Sequence, residues 1–227
     1  MADDSTQKSL DSVKIYDLRS EQKDPHNASK TSGGKTSRRN VETIDSIVIH
    51  QTGVKFGAAQ YQIDAAGGDR ELALARRSLT VACHVMAFHD GFLAWPTELS
   101  WYIYHANRLN GGSLGIEIDG NYPGLVGGKT NNGKTATEVT DAVVTAAQRG
   151  VKLLYEEGKA LGCPIKYIFA HRQSSGSRRA DPGEALWRRV VLDYAIPVLG
   201  LEPRRDFTID KGRTIPKEWD PDGPGTY

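Results

Sequence analysis

Two histidines and two acidic residues stand where they could act together on one substrate. His50 ends the apolar run IDSIVIH, His171 ends IKYIFAH, Glu117 lies within SLGIEIDG, and Asp181 follows His171 by ten residues. Because strand ends hold side chains on rigid backbone and bring them together, we expect these groups to share a site. Two imidazoles and a carboxylate suit zinc, with a fourth position left for the water that hydrolysis needs. The pattern therefore suggests a zinc hydrolase.

The spacing alone leaves a structural interpretation open. The sequence has no H-E-x-x-H helix that would force His50 and His171 onto one metal ion, and a single histidine at a strand end more often has a structural role. Asp181 precedes Pro182-Gly183 at the start of a predicted helix, where a carboxylate commonly caps the N-terminus.

The strands that must position these residues follow from the apolar patterning. Short apolar runs predict strands over 44–50, 113–120 and 165–171. The runs 81–88 and 91–95 are joined through an Asp-Gly pair, which predicts a hairpin.

Helices are predicted between these strands. Residues 57–79 contain helical stretches broken at Gly67-Gly68, and a last helix is predicted over 183–199. The capping-box pattern Thr135-x-x-Glu138 opens a longer apolar periodicity that stops at Gly162. This order predicts a mixed α/β fold, a central mixed β-sheet flanked by helices.

The composition divides the chain into three parts. Residues 1–42 form a polar N-terminal arm, with a short strand predicted near 13–18, residues 43–200 form the main domain, and residues 201–227 form a Pro/Gly-rich tail. Cys83 and Cys163 are far apart and flanked by apolar residues. We expect two buried free thiols, with one disulfide as the alternative.

Charge and hydropathy exclude some classes of partner. Lys and Arg total 29 against 28 acidic residues, a net charge of +1, so no basic field indicates nucleic-acid binding. The polar stretch MADDSTQKSLDSVK lacks the apolar region of a secretory signal, and no apolar run is long enough for a membrane span. These features favour a protein that is cytoplasmic at synthesis.

Three segments carry a resemblance to a known family. IVIHQTG (47–53), HANRLNGGSLGIEIDG (105–120) and AHRQSSGSRRADPGEALW (170–187) resemble, in order, the motifs of the type 2 N-acetylmuramoyl-L-alanine amidases, a family that also contains the peptidoglycan recognition proteins. The resemblance covers roughly residues 43–199. It implies a zinc-dependent enzyme that cuts peptidoglycan, or a muropeptide, between N-acetylmuramic acid and L-alanine.

Carried over by position, the resemblance also implies roles for single residues. It assigns the zinc ligands, His50, His171 and Asp181, the catalytic carboxylate, Glu117, and the substrate-binding pair, His105 and Asn107. Arg179 stands where many members have a lysine. Since arginine does not release a proton at ordinary pH, we expect Arg179 to stabilise the oxyanion, with a plain surface role as the alternative.

The hairpin strand departs from part of the family. Phage T7-type members have a tyrosine before the histidine of this strand, whereas Cys83 precedes His84 here. The acid–base work therefore falls to Glu117. For His84 itself, a structural role and a site role both stay open.

The sequence is also compatible with other functions. The fold could serve a non-catalytic peptidoglycan-binding module, a structural component of a phage or secretion particle that docks partners through the terminal arms, or a zinc hydrolase of another amide. An enzyme of this kind would reach the cell wall through phage- or machine-mediated release, as an endolysin, a tail lysin or an injected effector, or else recycle wall fragments in the cytoplasm. Stem-peptide preference would depend on the loops 53–80 and 121–134.

Overall fold

The computed structural model describes residues 4–23, 38–130 and 132–227. The strands within these ranges are β1 Ile15–Asp17, β2 Ser46–Gln51, β3 Val85–Ala87, β4 Leu93–Trp95, β5 Ser113–Ile118 and β6 Tyr167–Ala170. The helices are α1 Asp4–Asp11, α2 Gln60–Ala65, α3 Arg70–Ala75 and α4 Asp141–Ala160, followed by a last helical segment made of α5 Glu184–Leu186, a π-helical stretch Trp187–Ala195 and α6 Ile196–Leu199.

The strands form one sheet in the order β1-β4-β3-β5-β2-β6. β3 and β4 form an antiparallel pair, and the other neighbouring pairs are parallel. The predicted mixed α/β fold is therefore confirmed. β2 lies between β5 and β6, so the three strands that carry the chemistry-bearing residues are neighbours.

Strand β2 forms because its β-branched residues suit a central strand that is buried on both faces. Ile47 and Ile49 join the main core, which α4 covers, whereas Val48 packs with Phe169 in a separate cluster. Since side chains alternate along a strand, His50 lies on the same face as Val48, away from α4.

Helix α4 begins later than the sequence predicted. Its N-cap is Thr140, whose side chain accepts from the Val143 amide, so the predicted capping box at Thr135 is wrong. The reason is tertiary. The Thr137 amide donates to the Asn121 carbonyl oxygen at 2.8 Å, and the Asn121 amide donates to Thr137 Oγ1 at 2.9 Å. These bonds hold Thr137 against Asn121 and outside the helix.

Close packing of α4 on the sheet depends on a glycine. A methyl group at Gly150 would lie 2.5 Å from Ile116 Cδ1 on β5. The helix therefore approaches the strand that carries Glu117 more closely than a larger residue would allow.

Both flanks contact the main domain. β1 pairs with β4, which confirms the short strand predicted near 13–18, and Leu10 of α1 is buried. Residues 1–3 and 24–37 of the predicted arm lie outside the described residues. In the predicted tail, Ile215 and Trp219 are buried in the main core.

The cysteines are both buried free thiols, as expected. Among the described residues, no helix is both long and apolar enough to cross a membrane.

Candidate metal and catalytic site

His50 and Glu117 are brought together by strand register. They are paired residues on the parallel strands β2 and β5, so their side chains leave the same face of the sheet. His50 Nδ1 lies 4.0 Å from Glu117 Oε1. Ile49 pairs with Ala170 on the other side of β2, which puts His171 at the end of β6 next to His50.

The side chains of His50, His171 and Asp181 converge on one point. His50 Nδ1 lies 2.8 Å from His171 Nδ1, and His171 Nδ1 lies 3.0 Å from Asp181 Oδ2. All three residues are buried, and one ligand atom from each lies within 4.8 Å of the others. Two imidazole nitrogens and a carboxylate oxygen form a donor set that zinc commonly takes, and they leave a position for water.

Asp181 is held in place by the backbone of β2. Its Oδ1 accepts from the Gln51 amide at 2.9 Å, which orients the carboxylate and leaves Oδ2 towards His171. The Gln51 side chain donates to the carbonyl oxygens of Ala180 and Pro182 at 2.6 and 3.1 Å, so it also fixes the backbone on either side of Asp181. Gln51, which directly follows the candidate ligand His50, thus positions the candidate ligand Asp181.

Two of the three groups, His171 and Asp181, line a cavity of about 260 Å³. Glu117 and His105 also line it, together with apolar side chains from the 56–104 region, Phe56, Val81 and Tyr104. A solvent-accessible pocket with acidic, imidazole and apolar walls can hold a polar substrate next to the candidate ligands.

Burial and nearby charges keep the imidazoles of His50 and His105 neutral. Burial, reinforced by the neighbouring His171, His105 and Arg178, holds the pKa of His50 well below its usual range. Burial and the buried Arg39 guanidinium lower the pKa of His105 to about 3. Neutral imidazole is the form that coordinates a metal ion.

The sequence of this domain matches a known family. Residues 40–184 match the profile described as N-acetylmuramoyl-L-alanine amidase. The chain belongs to this amidase family. The match includes all four residues of the site, His50, Glu117, His171 and Asp181.

Solved structures resemble the chain at low sequence identity. Drosophila PGRP-LB is 15% identical, the match covers 86% of this chain and 99% of that one, and the TM-score is 0.50, which shows a shared fold. The endolysin N-acetylmuramoyl-L-alanine amidase LysCS from Clostridium intestinale URNW is 17% identical, with 83% and 97% of the two chains covered and a TM-score of 0.49. No curated protein matches the chain.

The two arginines near the site face different surroundings. The guanidinium Cζ of Arg179, to which the sequence assigned the oxyanion role, lies 4.3 Å from the centre of the Tyr227 ring. The preceding residue, Arg178, lines the cavity. Arg178, and not Arg179, therefore brings a positive charge into the cavity beside the candidate ligands.

The two residues that the sequence assigned to substrate binding also differ. His105 lines the cavity, although it is buried, and its Nδ1 lies 3.0 Å from His50 Nε2. The Asn107 side chain donates to the Ser174 carbonyl oxygen at 2.6 Å, and so joins its loop to the turn after His171. Asn107 is not among the residues that line the cavity.

His84 lies behind the site and is part of the framework. Its Nδ1 accepts from the Gly115 amide at 2.9 Å, and its ring centre lies 5.8 Å from that of His105. The cavity lining does not include it. The contacts favour the structural role that the sequence left open.

Arg39 is a half-buried residue whose role the sequence does not indicate. Its guanidinium donates to the carbonyl oxygens of Leu99, Asn110 and Ser113 at 2.7, 2.8 and 2.6 Å. These bonds fix the two ends of the loop that carries His105. The polar context of residue 39 in the sequence gives no signal of this burial, because it predicts a solvated arm.

Proposed function

We propose that the chain is a zinc-dependent N-acetylmuramoyl-L-alanine amidase of peptidoglycan. It would hydrolyse the amide bond between the lactyl group of N-acetylmuramic acid and L-alanine. The observation that carries this proposal is the convergence of His50 Nδ1, His171 Nδ1 and Asp181 Oδ2 beside Glu117, in a domain of the amidase family.

The donor set fits a zinc ion, which His50, His171 and Asp181 would hold. Bound there, zinc supplies Lewis-acid chemistry, since it lowers the pKa of water and polarises a carbonyl group. The low pKa of the buried His50 keeps its ring in the neutral form that zinc requires, and the Gln51 amide orients the Asp181 carboxylate towards the same point.

Glu117 is positioned to move the proton of the reaction. Its carboxylate lies next to His50 on the adjacent strand and lines the cavity, so it can accept a proton from the attacking water. The water oxygen forms a bond to the carbonyl carbon, and the C–N bond to L-alanine then breaks. Glu117 returns the proton to the leaving nitrogen, which gives a free carboxylate on the lactyl group and a free amine on the peptide.

A positive group at the cavity stabilises the negative charge on the carbonyl oxygen. The family resemblance assigns this task to Arg179, whereas the cavity lining favours Arg178. An arginine donates hydrogen bonds to an oxyanion through a fixed planar group and keeps its charge throughout.

Product analysis tests the activity directly. Defined muropeptides incubated with the protein should yield free peptide with an N-terminal L-alanine and an intact saccharide, as measured by mass spectrometry. A chelator should abolish the products and added zinc should restore them. Binding of muropeptide without cleavage, by zinc-loaded protein, would instead identify a recognition protein with the same fold.

Two variants separate metal binding from proton transfer. Glu117→Gln should keep zinc but lose turnover by about a hundredfold or more, because it removes the proton acceptor. His171→Ala should lose zinc after dialysis. Glu156→Gln on the exposed surface of α4 is the matched control and should behave as the unaltered protein. Near-normal turnover in Glu117→Gln, or full zinc occupancy in His171→Ala, would contradict these assignments.

A further inference from the structure

The two ring nitrogens of His50 have different partners. His50 Nδ1 faces His171 and Asp181, while its other ring nitrogen, Nε2, lies 3.0 Å from His105 Nδ1. His105 Nε2 lies 3.2 Å from Ser113 Oγ, and the Ser113 hydroxyl donates to the Leu109 carbonyl oxygen at 2.7 Å. The Leu109 carbonyl, Ser113, His105 and His50 thus form a continuous hydrogen-bonded chain, here called the relay, that ends beside His171.

Only one arrangement of protons satisfies this chain when the rings are neutral. A carbonyl oxygen only accepts, so the single hydroxyl proton of Ser113 points to Leu109. The serine oxygen must then accept from His105 Nε2–H, which leaves His105 Nδ1 as an acceptor. His50 therefore carries its proton on Nε2, and its Nδ1 lone pair is directed at the metal position.

The fold leaves a space for the His105 ring. A methyl group built on Gly115 would lie 2.5 Å from His105 Nδ1 and 2.9 Å from its Cγ. Gly115 is two residues before Glu117 on β5, on the same face. The absence of a side chain at Gly115 thus leaves room on β5 for the His105 ring.

The far end of the relay is anchored as well. The Arg39 guanidinium donates to the carbonyl oxygens of Asn110 and Ser113, so the loop that supplies both Leu109 and Ser113 is tied to buried charge. His105 itself is 7% exposed. Its Nδ1 is therefore engaged by a candidate ligand and is not available to a substrate.

We propose that His105 is a positioning residue that fixes the tautomer of His50, through which it raises the affinity of the site for zinc. This inference rests on the proposed zinc site. Partners of this kind typically change metal affinity by about 10–100-fold when they are removed. The role differs from the substrate contact that the family resemblance suggested for His105.

Three variants test the relay through zinc affinity, measured by competition with a chromophoric chelator. His105→Leu removes the acceptor and should weaken zinc binding about 10–100-fold. His105→Asn keeps an acceptor oxygen near the position of Nδ1 and should bind within a few-fold of the unaltered protein. His89→Leu, the same substitution at a histidine outside the site, is the matched control.

Two spectroscopic readouts distinguish this role from a merely structural one. With cobalt(II) as the bound metal, His105→Leu should change the visible absorption bands while His105→Asn preserves them. In the unaltered zinc-loaded protein, ¹H–¹⁵N spectra of the rings should show protons on Nε2 of both His50 and His105. The second measurement needs no variant, so it decides the question even if His105→Leu fails to fold.

The outcomes separate the two proposals. Equal zinc affinity in His105→Leu and the unaltered protein, or a proton on Nδ1 of His105, would overturn the relay alone. An unaltered protein that binds no zinc would overturn the metal site and the relay with it.

Discussion

Two adjacent arginines in the turn before Asp181 have different neighbours. Arg178 lines the cavity, whereas Arg179 lies over the ring of Tyr227. The sequence SRRAD has no periodicity that could decide which arginine faces the ligands, and the family resemblance selected Arg179. The packing of Tyr227, distant in sequence, separates the two.

The two arginines should therefore differ in their effects on catalysis. Arg178→Ala should lower kcat on a defined muropeptide by roughly a hundredfold, a loss typical of an oxyanion donor. Arg179→Ala should change kcat little and lower the free energy of unfolding by about 0.5–1 kcal/mol, because it loses a cation–π contact. Steady-state kinetics and urea unfolding measure both. The reverse pattern would restore the assignment to Arg179.

Because several of its histidines are buried, the metal-free protein should have a lower free energy of unfolding in acid. Burial holds the pKa values of His50, His84 and His105 below the usual range. Histidines in the unfolded chain titrate near pH ~6.5, so below that pH the unfolded state binds more protons and the free energy of unfolding decreases. Well below that pH, each of these histidines adds a slope that approaches about 1.4 kcal/mol per pH unit.

Urea unfolding in the presence of a chelator, between about pH 5.5 and about pH 7.5, measures this slope. His84→Gln removes one of the three imidazoles whose pKa is lowered by burial, without touching a candidate ligand, so the histidine contribution to the slope should be smaller by about a third. An unchanged slope in His84→Gln would show that the pKa of this histidine is the same in the folded and unfolded states.

At the scale of elements, the sequence predicted the strands that position the site. The β-branched run before His50 and the similar run before His171 predict buried strands, and β2 and β6 lie there as neighbours. The alternation around Glu117 predicts β5 in the same way. The apolar pattern predicts these strands correctly because almost every residue of a strand that is buried on both faces is apolar.

The apolar patterns do not predict which side chains join one element to another. Nothing in IVIHQTG distinguishes Gln51 from a surface residue, yet its amide group joins β2 to the segment around Asp181. The same side chain accepts from the Tyr122 amide at 2.6 Å and donates to the Tyr122 carbonyl oxygen at 2.9 Å. These partners come from distant parts of the chain, so no local spacing reveals them.

Replacement of this amide should loosen the loop that supplies Asp181. Gln51→Leu would leave the buried Tyr122 amide and the carbonyl oxygens of Ala180 and Pro182 without this partner, at a cost of about 3 kcal/mol in the free energy of unfolding. Zinc affinity should fall as well. Gln60→Leu on the exposed face of α2 is the control and should change neither quantity. Unaltered zinc affinity in Gln51→Leu would show that the Gln51 backbone amide alone orients Asp181.

At the scale of the whole molecule, the C-terminal residues join the core. Trp219 is buried, its indole donates to the Gly124 carbonyl oxygen, and its ring centre lies 6.4 Å from that of Trp187. The Arg172 guanidinium, next to His171, lies 4.7 Å from the Trp219 ring centre. Sparse apolar residues among Pro and Gly have no helical or strand period, so the sequence predicts only a tail there.

These contacts predict that Trp219 stabilises the domain and supports the site from behind. Trp219→Ala should lower the free energy of unfolding by about 3–5 kcal/mol, the usual cost of removing a fully buried tryptophan. Tyr61→Ala, at an aromatic side chain that is 72% exposed, is the control and should stay within about 0.5 kcal/mol. Urea unfolding measures both variants. Because Trp219 reaches the 121–128 loop and Arg172 together, Trp219→Ala should also weaken zinc binding, whereas a loss of stability without any change in zinc affinity would confine its role to the core.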